Sequence, residues 1–407
     1  MTYRSSSASS LSRRAWLALV AAACTPAGER RTTDRSASSS AEGALPTTSA
    51  VAETPPPARV KKLDHPWIEA LGALPRLSLG DLPTPIEEAQ SLAKAIGVGE
   101  LWLKRDDLSS RVFGGGKVRK LERLFGDARA LGRTHVVTFG AVGSNHAAAT
   151  AAFGVRNGFS VTVHLAGQPK GPVVRRNLAL CIASGARIEA SSGLADTFAK
   201  AVRDAGSGPE ADRPYVIAPG GTCHVGNVGM VDAAFELAEQ IQLGLAPAPD
   251  DIVVAMGTMG STAGLAFGLA AAGIRARIIA VRCSSEASSS KAALRKLEDG
   301  FEHYLESIGA KVTSRAEVDV ESRYLGRGYG RPTREGERAI ALAKEHAGIE
   351  LESTYTAKAL AALMGRARDL EKRRVLFWAS QPAPLAFDPG AVERSALPEA
   401  LRPYLDD

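Results

Sequence analysis

An α/β fold built on mainly parallel sheets is predicted by the way short β-rich runs alternate with amphipathic or alanine-rich helical patterns from about residue 61 to the end. Composition agrees with it. The 407 residues are 45% hydrophobic and 23% charged, a globular balance with length for one large or two medium domains. A third observation is that several of the runs lead into glycine- and hydroxyl-rich loops, and ligands of open α/β sheets bind beyond the carboxyl ends of strands.

The candidate strands are Leu101–Lys104, His135–Phe139, Ser160–Leu165, Tyr215–Ala218, Ile252–Met256, Arg277–Val281 and Val375–Ala379. Each is short and rich in β-branched or aromatic residues, the pattern of a buried strand. The candidate helices are Val118–Leu131, Asn145–Arg156, Val173–Ser184, Val228–Leu243, Ser261–Ala272 and Thr333–His346. No internal repeat is evident.

The net charge of +6 is spread along the chain, and part of it comes from Arg13, Arg14, Arg30, Arg31 and Arg35 near the N-terminus. No basic stripe with interleaved aromatics is present, which argues against a nucleic-acid partner. Cys24, Cys181, Cys223 and Cys283 are widely spaced and form no cluster with metal-site spacing, so no metal is expected. Residues 1–24 resemble an export signal: Arg13-Arg14, a short apolar run Ala15–Ala23, then Cys24 as in a bacterial lipoprotein signal. That run is too short to span a bilayer. Residues 25–60, rich in Ser, Thr, Ala and Pro, read as a disordered linker. The expectation is an exported protein with a lipid anchor at Cys24, the alternative being a cytoplasmic one.

The stretch Arg111-Val-Phe-Gly-Gly-Gly-Lys-Val-Arg-Lys-Leu-Glu122 carries most of the chemistry. Glycines let another molecule approach the backbone, and Lys117 sits where the loop becomes a helix. A lysine made less basic by its surroundings can form a Schiff base with an aldehyde. A phosphate-cradling Gly-x-x-x-x-Gly-Lys-Ser/Thr loop is excluded, because Arg111 stands at its first Gly and Val118 at its hydroxyl. After the strand His135–Phe139, Ser144 or Asn145 opens a helix where free N–H groups suit a carboxylate. After Ile252–Met256, the loop Gly257-Thr-Met-Gly-Ser-Thr-Ala-Gly264 suits a phosphate, and its spacing is not that of a dinucleotide fingerprint. Pro219-Gly-Gly-Thr-Cys-His-Val-Gly226 and Ser380-Gln-Pro are uninformative alone.

Together with Leu82-Pro-Thr-Pro85, Trp102-Leu-Lys-Arg-Asp-Asp-Leu108, Gly328-Tyr-Gly330 and Tyr355-Thr-Ala-Lys358, these segments resemble the D-cysteine desulfhydrase and aminocyclopropane-carboxylate deaminase family of pyridoxal 5'-phosphate (PLP) enzymes. The similarity runs from about Leu82 to Pro384. It implies the tryptophan-synthase-β-like fold type II, two three-layer αβα domains with mainly parallel sheets. A large cofactor domain of residues 61–119 and 227–407 would hold a smaller inserted domain, 120–226, and the enzyme would be a homodimer acting on a small amino acid.

Carried across, the resemblance assigns Lys117 as the covalent cofactor anchor and the group that moves the substrate's α-proton. Asn145 would bond the ring hydroxyl, and Ser144 with its neighbouring amides the substrate carboxylate. Gly257, Thr258, Gly260, Ser261 and Thr262 would surround the phosphate, and Tyr329 and Tyr355 would face the substrate. Thr356 stands where the deaminases have Glu, and Ser380 where the desulfhydrases have Thr, so a hydroxyl rather than a carboxylate would meet the ring nitrogen. The reaction implied is α,β-elimination from a D-amino acid such as D-cysteine, giving pyruvate, ammonia and sulfide. The alternatives are a deaminase of the cyclopropane type or an exported, non-catalytic binder. Departures from the family pattern are Gly116 for Asn, Met259 within the glycine loop, where its bulk would narrow the phosphate site, Ala357 for Gly, and the altered run Trp378–Pro382.

Overall fold

The computed structural model describes residues 65–206, 209, 212–382 and 392–406, so the signal-like segment, Cys24 and the linker lie outside the described residues. Its strands are β1 (Ile86–Glu88), β2 (Glu100–Lys104), β3 (His135–Ala141), β4 (Ser160–Ala166), β5 (Arg187–Ser191), β6 (Tyr215–Ile217), β7 (Asp251–Met256), β8 (Arg277–Arg282), β9 (Val318–Glu321) and β10 (Arg374–Trp378). One sheet has the order β1-β2-β10-β7-β8-β9 and the other β5-β4-β3-β6. All pairings are parallel except that of β1 with β2.

Strand periodicity makes the larger sheet the middle of three layers. Leu101, Leu103, Val253, Ile279, Val281, Val375 and Phe377 enter one apolar cluster, while Ile252, Val254, Met256, Ile278, Ala280, Leu376 and Trp378, alternating with them, enter another. Successive strand side chains point to opposite faces, so both faces are covered and the strands must read as continuous apolar runs. Beyond these strands the sequence expectation missed β1, β5 and β9, all at sheet edges.

The helix Lys117–Ala130 joins the two sheets. Its Val118, Leu121, Leu124, Phe125 and Ala128 pack into the apolar cluster of the smaller sheet. Each such buried Leu or Phe contributes about 1.5–3 kcal/mol. From its other side, Arg119 reaches Glu236 and Arg123 reaches Asp232, both on the long helix His224–Gln242. Held on both sides, the helix presents its first residue, Lys117, at the cleft where loops after β3, β7 and β10 converge. Among the described residues no helix is long and apolar enough to cross a membrane.

Candidate active site

A cavity of about 680 Å³ occupies that cleft. Lys117, Ser144, Asn145, Gly257, Thr258, Ser261, Thr262, Tyr329, Tyr355 and Ser380 all line it, whereas Gly260 and Thr356 do not. Lys117 owes its place to two of the three glycines before it. A Cβ on Gly114 would lie 1.9 Å from the Asp107 carbonyl oxygen, and Gly115 has φ +98° with its missing Cβ 2.9 Å from the Ser380 oxygen. Only glycine closes such a turn. Gly116 is not forced in this way, since its Cβ would meet atoms no closer than 3.5 Å. Burial lowers the pKa of the Lys117 amine, and the carboxylates of Glu352 and Asp106 oppose that only in part. The neutral amine is the nucleophile, so this is the direction that a Schiff-base lysine needs.

Beyond β3, Ser144 caps the helix Asn145–Arg156 by accepting the Ala147 N–H at 3.2 Å, which leaves its own O–H free to donate into the cavity. The capping reading and the carboxylate-binding reading are therefore compatible. Asn145 is oriented by a residue the sequence did not single out. Buried Asn177 donates to the Asn145 Oδ1 at 2.7 Å and to the Gly143 carbonyl at 2.9 Å. With its oxygen occupied, Asn145 has its NH₂ group left to donate.

The loop after β7 leads into the helix Gly260–Ala271, whose start has no side-chain cap, so its first N–H groups are available to an anion. The buried Thr262 hydroxyl has no hydrogen-bond partner among the described residues. Gly260 turns away from the cavity. A Cβ there would be 2.4 Å from the Asn227 amide, and 2.6 Å from both the Lys120 ammonium and the Thr222 hydroxyl. Gly260 thus contributes the helix start through its backbone, with no side-chain face toward the cavity. Lys120 also went unrecognised, although its place one turn after Lys117 on one helix face was the available signal. Its buried ammonium donates to the Gly220 carbonyl at 3.2 Å, and burial, reinforced by the charge of Lys117, pushes its pKa well down. His146, buried beside both lysines, is held neutral first by burial and then by their charges.

Met259 adopts φ +66°, the one left-handed non-glycine residue among those described. Its side chain packs with Met230, Ala263 and Trp378 in the apolar cluster of the larger sheet. Met259 thus borders the cavity while its side chain is drawn into the core.

Tyr355 and Tyr329 meet edge to face, with ring centroids 6.0 Å apart, and the Tyr355 hydroxyl donates to that of Tyr329 at 3.0 Å. Burial raises both pKa values, so both hydroxyls stay protonated near neutral pH. Tyr355 also packs over Gly257, whose Cβ would lie 2.9 Å from its ring.

Thr356 departs from its predicted role. It is fully buried, its hydroxyl accepts the Glu352 N–H at 3.2 Å, and its own N–H donates to the Glu352 carboxylate at 3.0 Å. The hydroxyl is used to close the turn 352–356 and does not reach the cavity. Glu352 does line the cavity, but its carboxylate accepts from the N–H groups of Thr354, Tyr355 and Thr356, so it serves to cap the helix Thr356–Gly365. Of the two predicted hydroxyls only that of Ser380 remains in the cavity. Beside it, Gln381 is 2% exposed, and neither amide atom has a partner among the described residues.

The floor beneath Lys117 is ionic. Asp106 accepts from Arg119, Thr84 and the Trp378 indole N–H, and its backbone oxygen takes the Gly115 N–H at 2.7 Å. Arg119 and Lys104 both bond Glu236, giving a buried set of two cations and two anions.

Comparison with known proteins gives one direction. A family model described as pyridoxal-phosphate dependent enzyme matches residues 77–381. A D-cysteine desulfhydrase of Klebsiella pneumoniae is 32% identical over 333 residues, 79% of this chain and 98% of the relative. A nocardicin C-9' epimerase of Nocardia uniformis is 36% identical over 317 residues, covering 76% and 93%. The crystal structure of an ACC deaminase homologue superposes with a TM-score of 0.69 at 31% identity, covering 78% of this chain and 94% of that one. The residues present fit the cofactor these proteins share: a desolvated lysine for its aldehyde, an uncapped helix start with an unpartnered Thr262 hydroxyl for its phosphate, and an Asn145 amide turned to donate to its ring hydroxyl.

Proposed function

Because the chain belongs to the pyridoxal-phosphate-dependent enzyme family, a lyase family by its desulfhydrase and deaminase relatives, we propose that it catalyses α,β-elimination from a small D-amino acid such as D-cysteine. The observation that carries this reading is the convergence in one cavity of the less basic Lys117 amine and the protonated Tyr329–Tyr355 pair. When bound, PLP supplies the electron sink for the charge left on the α-carbon. The substrate carboxylate is held by the Ser144 hydroxyl and the N–H groups that open the helix Asn145–Arg156. The Lys117 amine takes the α-proton. The β-carbon–sulfur bond then breaks, sulfur keeps the electron pair, and a proton from the Tyr329 hydroxyl accompanies it as sulfide. Tyr329 suits this role because it accepts from Tyr355 and so keeps its own proton for the cavity. Water hydrolyses the remaining enamine to pyruvate and ammonia.

The test is a panel of D- and L-amino acids assayed for keto acid and for sulfide. Pyruvate and sulfide from D-cysteine support the reading, whereas 2-oxobutanoate from the cyclopropane substrate would replace it with the deaminase alternative. With Thr356 out of the cavity, the preference for elimination over ring opening rests on Ser380. Replacing Tyr329 by Phe is expected to lower kcat by about 10²-fold or more while PLP remains bound, as loss of a positioned proton donor does.

A second reading, epimerisation at the α-carbon, is favoured by the 36% identity to the nocardicin epimerase. It uses Lys117 and Tyr329 as proton carriers without loss of the side chain. Uptake of solvent deuterium with inversion and no keto acid would establish it in place of elimination. We also propose that residues 1–24 direct export with Cys24 as the lipid site, and that the enzyme is a dimer. Membrane fractionation and sedimentation test these two statements.

A further inference from the structure

Lys358 is 0% exposed, and its ammonium donates to two main-chain carbonyls, those of Leu325 at 2.9 Å and Gly328 at 3.1 Å. Its placement is costly. It lies in the first turn of the helix Thr356–Gly365, where the helix dipole disfavours a cation, and burial lowers its pKa further, with Cys283 and Glu352 opposing that. A charge kept in such surroundings needs a counterbalancing role.

The two carbonyls belong to the loop that carries Tyr329. Gly326, Gly328 and Gly330 have φ +66°, +127° and +69°, so three of five successive residues there are left-handed glycines with wide conformational freedom in the absence of contacts. Gly328, whose oxygen Lys358 binds, directly precedes Tyr329. The helix that begins after Tyr355 therefore grips the loop twice, through the Tyr355 hydroxyl on Tyr329 and through the Lys358 ammonium on the backbone just before it.

We propose that Lys358 is a built-in cation occupying a carbonyl-lined site, and that it is a positioning residue that fixes Tyr329 in the cavity. The site, emptied of its ammonium, should accept a small monovalent cation such as potassium or ammonium, since carbonyl oxygens bind either. The proposal rests on the reading of Tyr329 as the proton donor.

The experiment is Lys358→Met in the full-length holoenzyme. Hydrogen exchange of residues 322–331 should accelerate by about tenfold or more, while borohydride still fixes PLP to Lys117. The kcat for keto acid should fall by about 10²-fold with KM little changed, as for loss of a positioned acid. Potassium or ammonium chloride should restore loop protection and at least about a tenth of the parent kcat, and N-methylglucamine chloride should not. Lys358→Met combined with Tyr329→Phe should be no slower than Tyr329→Phe alone. Unchanged exchange of the loop, or additive losses without cation rescue, overturns the proposal. Should the Met variant fail to fold, Lys358→Ala is expressed and refolded with potassium or with N-methylglucamine. Folding in potassium alone supports the site, and failure in both overturns it. If the parent enzyme forms no keto acid from any amino acid, the elimination reading fails, while loop exchange and its cation dependence still judge the role of Lys358.

Discussion

Replacing Lys117 by alanine is expected to reduce keto-acid formation by about 10³-fold or more, because one side chain supplies both the covalent attachment and the proton carrier. The variant should still fold. Lys117 is the first residue of its helix and half-buried, and the helix is held by Val118, Leu121, Phe125, Arg119 and Arg123, none of which the substitution touches. It should also still bind PLP reversibly, since the helix start at Gly260 and the Asn145 amide remain. Borohydride would then fix no cofactor to the protein, and dialysis would remove it. In the parent enzyme the rate of cofactor attachment should fall as pH drops through the Lys117 pKa. Burial lowers that pKa, so the falling limb must lie below the range of an ordinary lysine. A limb at the ordinary value would mean that the amine is solvated and the proposed anchor misplaced.

How much of this was legible before folding depends on where each residue finds its partners. The central strands were readable because both faces of a parallel sheet are covered, which forces runs such as Ile252-Val-Val-Ala-Met256. The edge strands β1, β5 and β9 were not, because sequences such as Ile86-Glu-Glu88 and Val318-Asp-Val-Glu321 are only three or four residues long, acidic and mostly left partly exposed, and so read as loops. Lys117, Ser144 and the loop after Met256 were legible because helix starts after strands announce themselves through glycines and hydroxyls. Asn177, Glu352 and Gln381 were not, since their meaning comes from atoms distant in sequence or from a turn that only the fold closes. Thr356 illustrates the limit: motif position suggested a cofactor contact, and a local hydrogen bond to Glu352 claimed its hydroxyl.

The ionic floor was likewise hidden, because its hydrogen-bonded partners are up to 272 residues apart. Asp106→Ala is expected to destabilise the protein by about 3–5 kcal/mol, the cost of breaking a buried ion pair and leaving its cation uncompensated. At present Lys104 and Arg119 face Asp106 and Glu236, so the set is neutral. Without Asp106 two buried cations share one carboxylate, and the Trp378 indole N–H loses its acceptor as well. Thermal or urea unfolding measures the loss, and a change below about 1 kcal/mol would show that water replaces the missing carboxylate. Acid unfolding of the parent adds an independent reading. Burial pushes the Glu236 carboxyl up, but the hydrogen bonds and charges of Arg119 and Lys104 outweigh it and hold it at about 2, against an ordinary 4.5. A depressed carboxylate contributes stability that is complete above its unfolded value and is lost as pH falls from about 4.5 toward 2. The same floor couples to the chemistry. Asp106 is one of the two carboxylates that raise the Lys117 pKa, so Asp106→Asn, which keeps the shape and removes the charge, should shift the limb of cofactor attachment to still lower pH. A shift in the opposite direction would mean that Asp106 acts on Lys117 only by holding the glycine turn in place, and not through its charge.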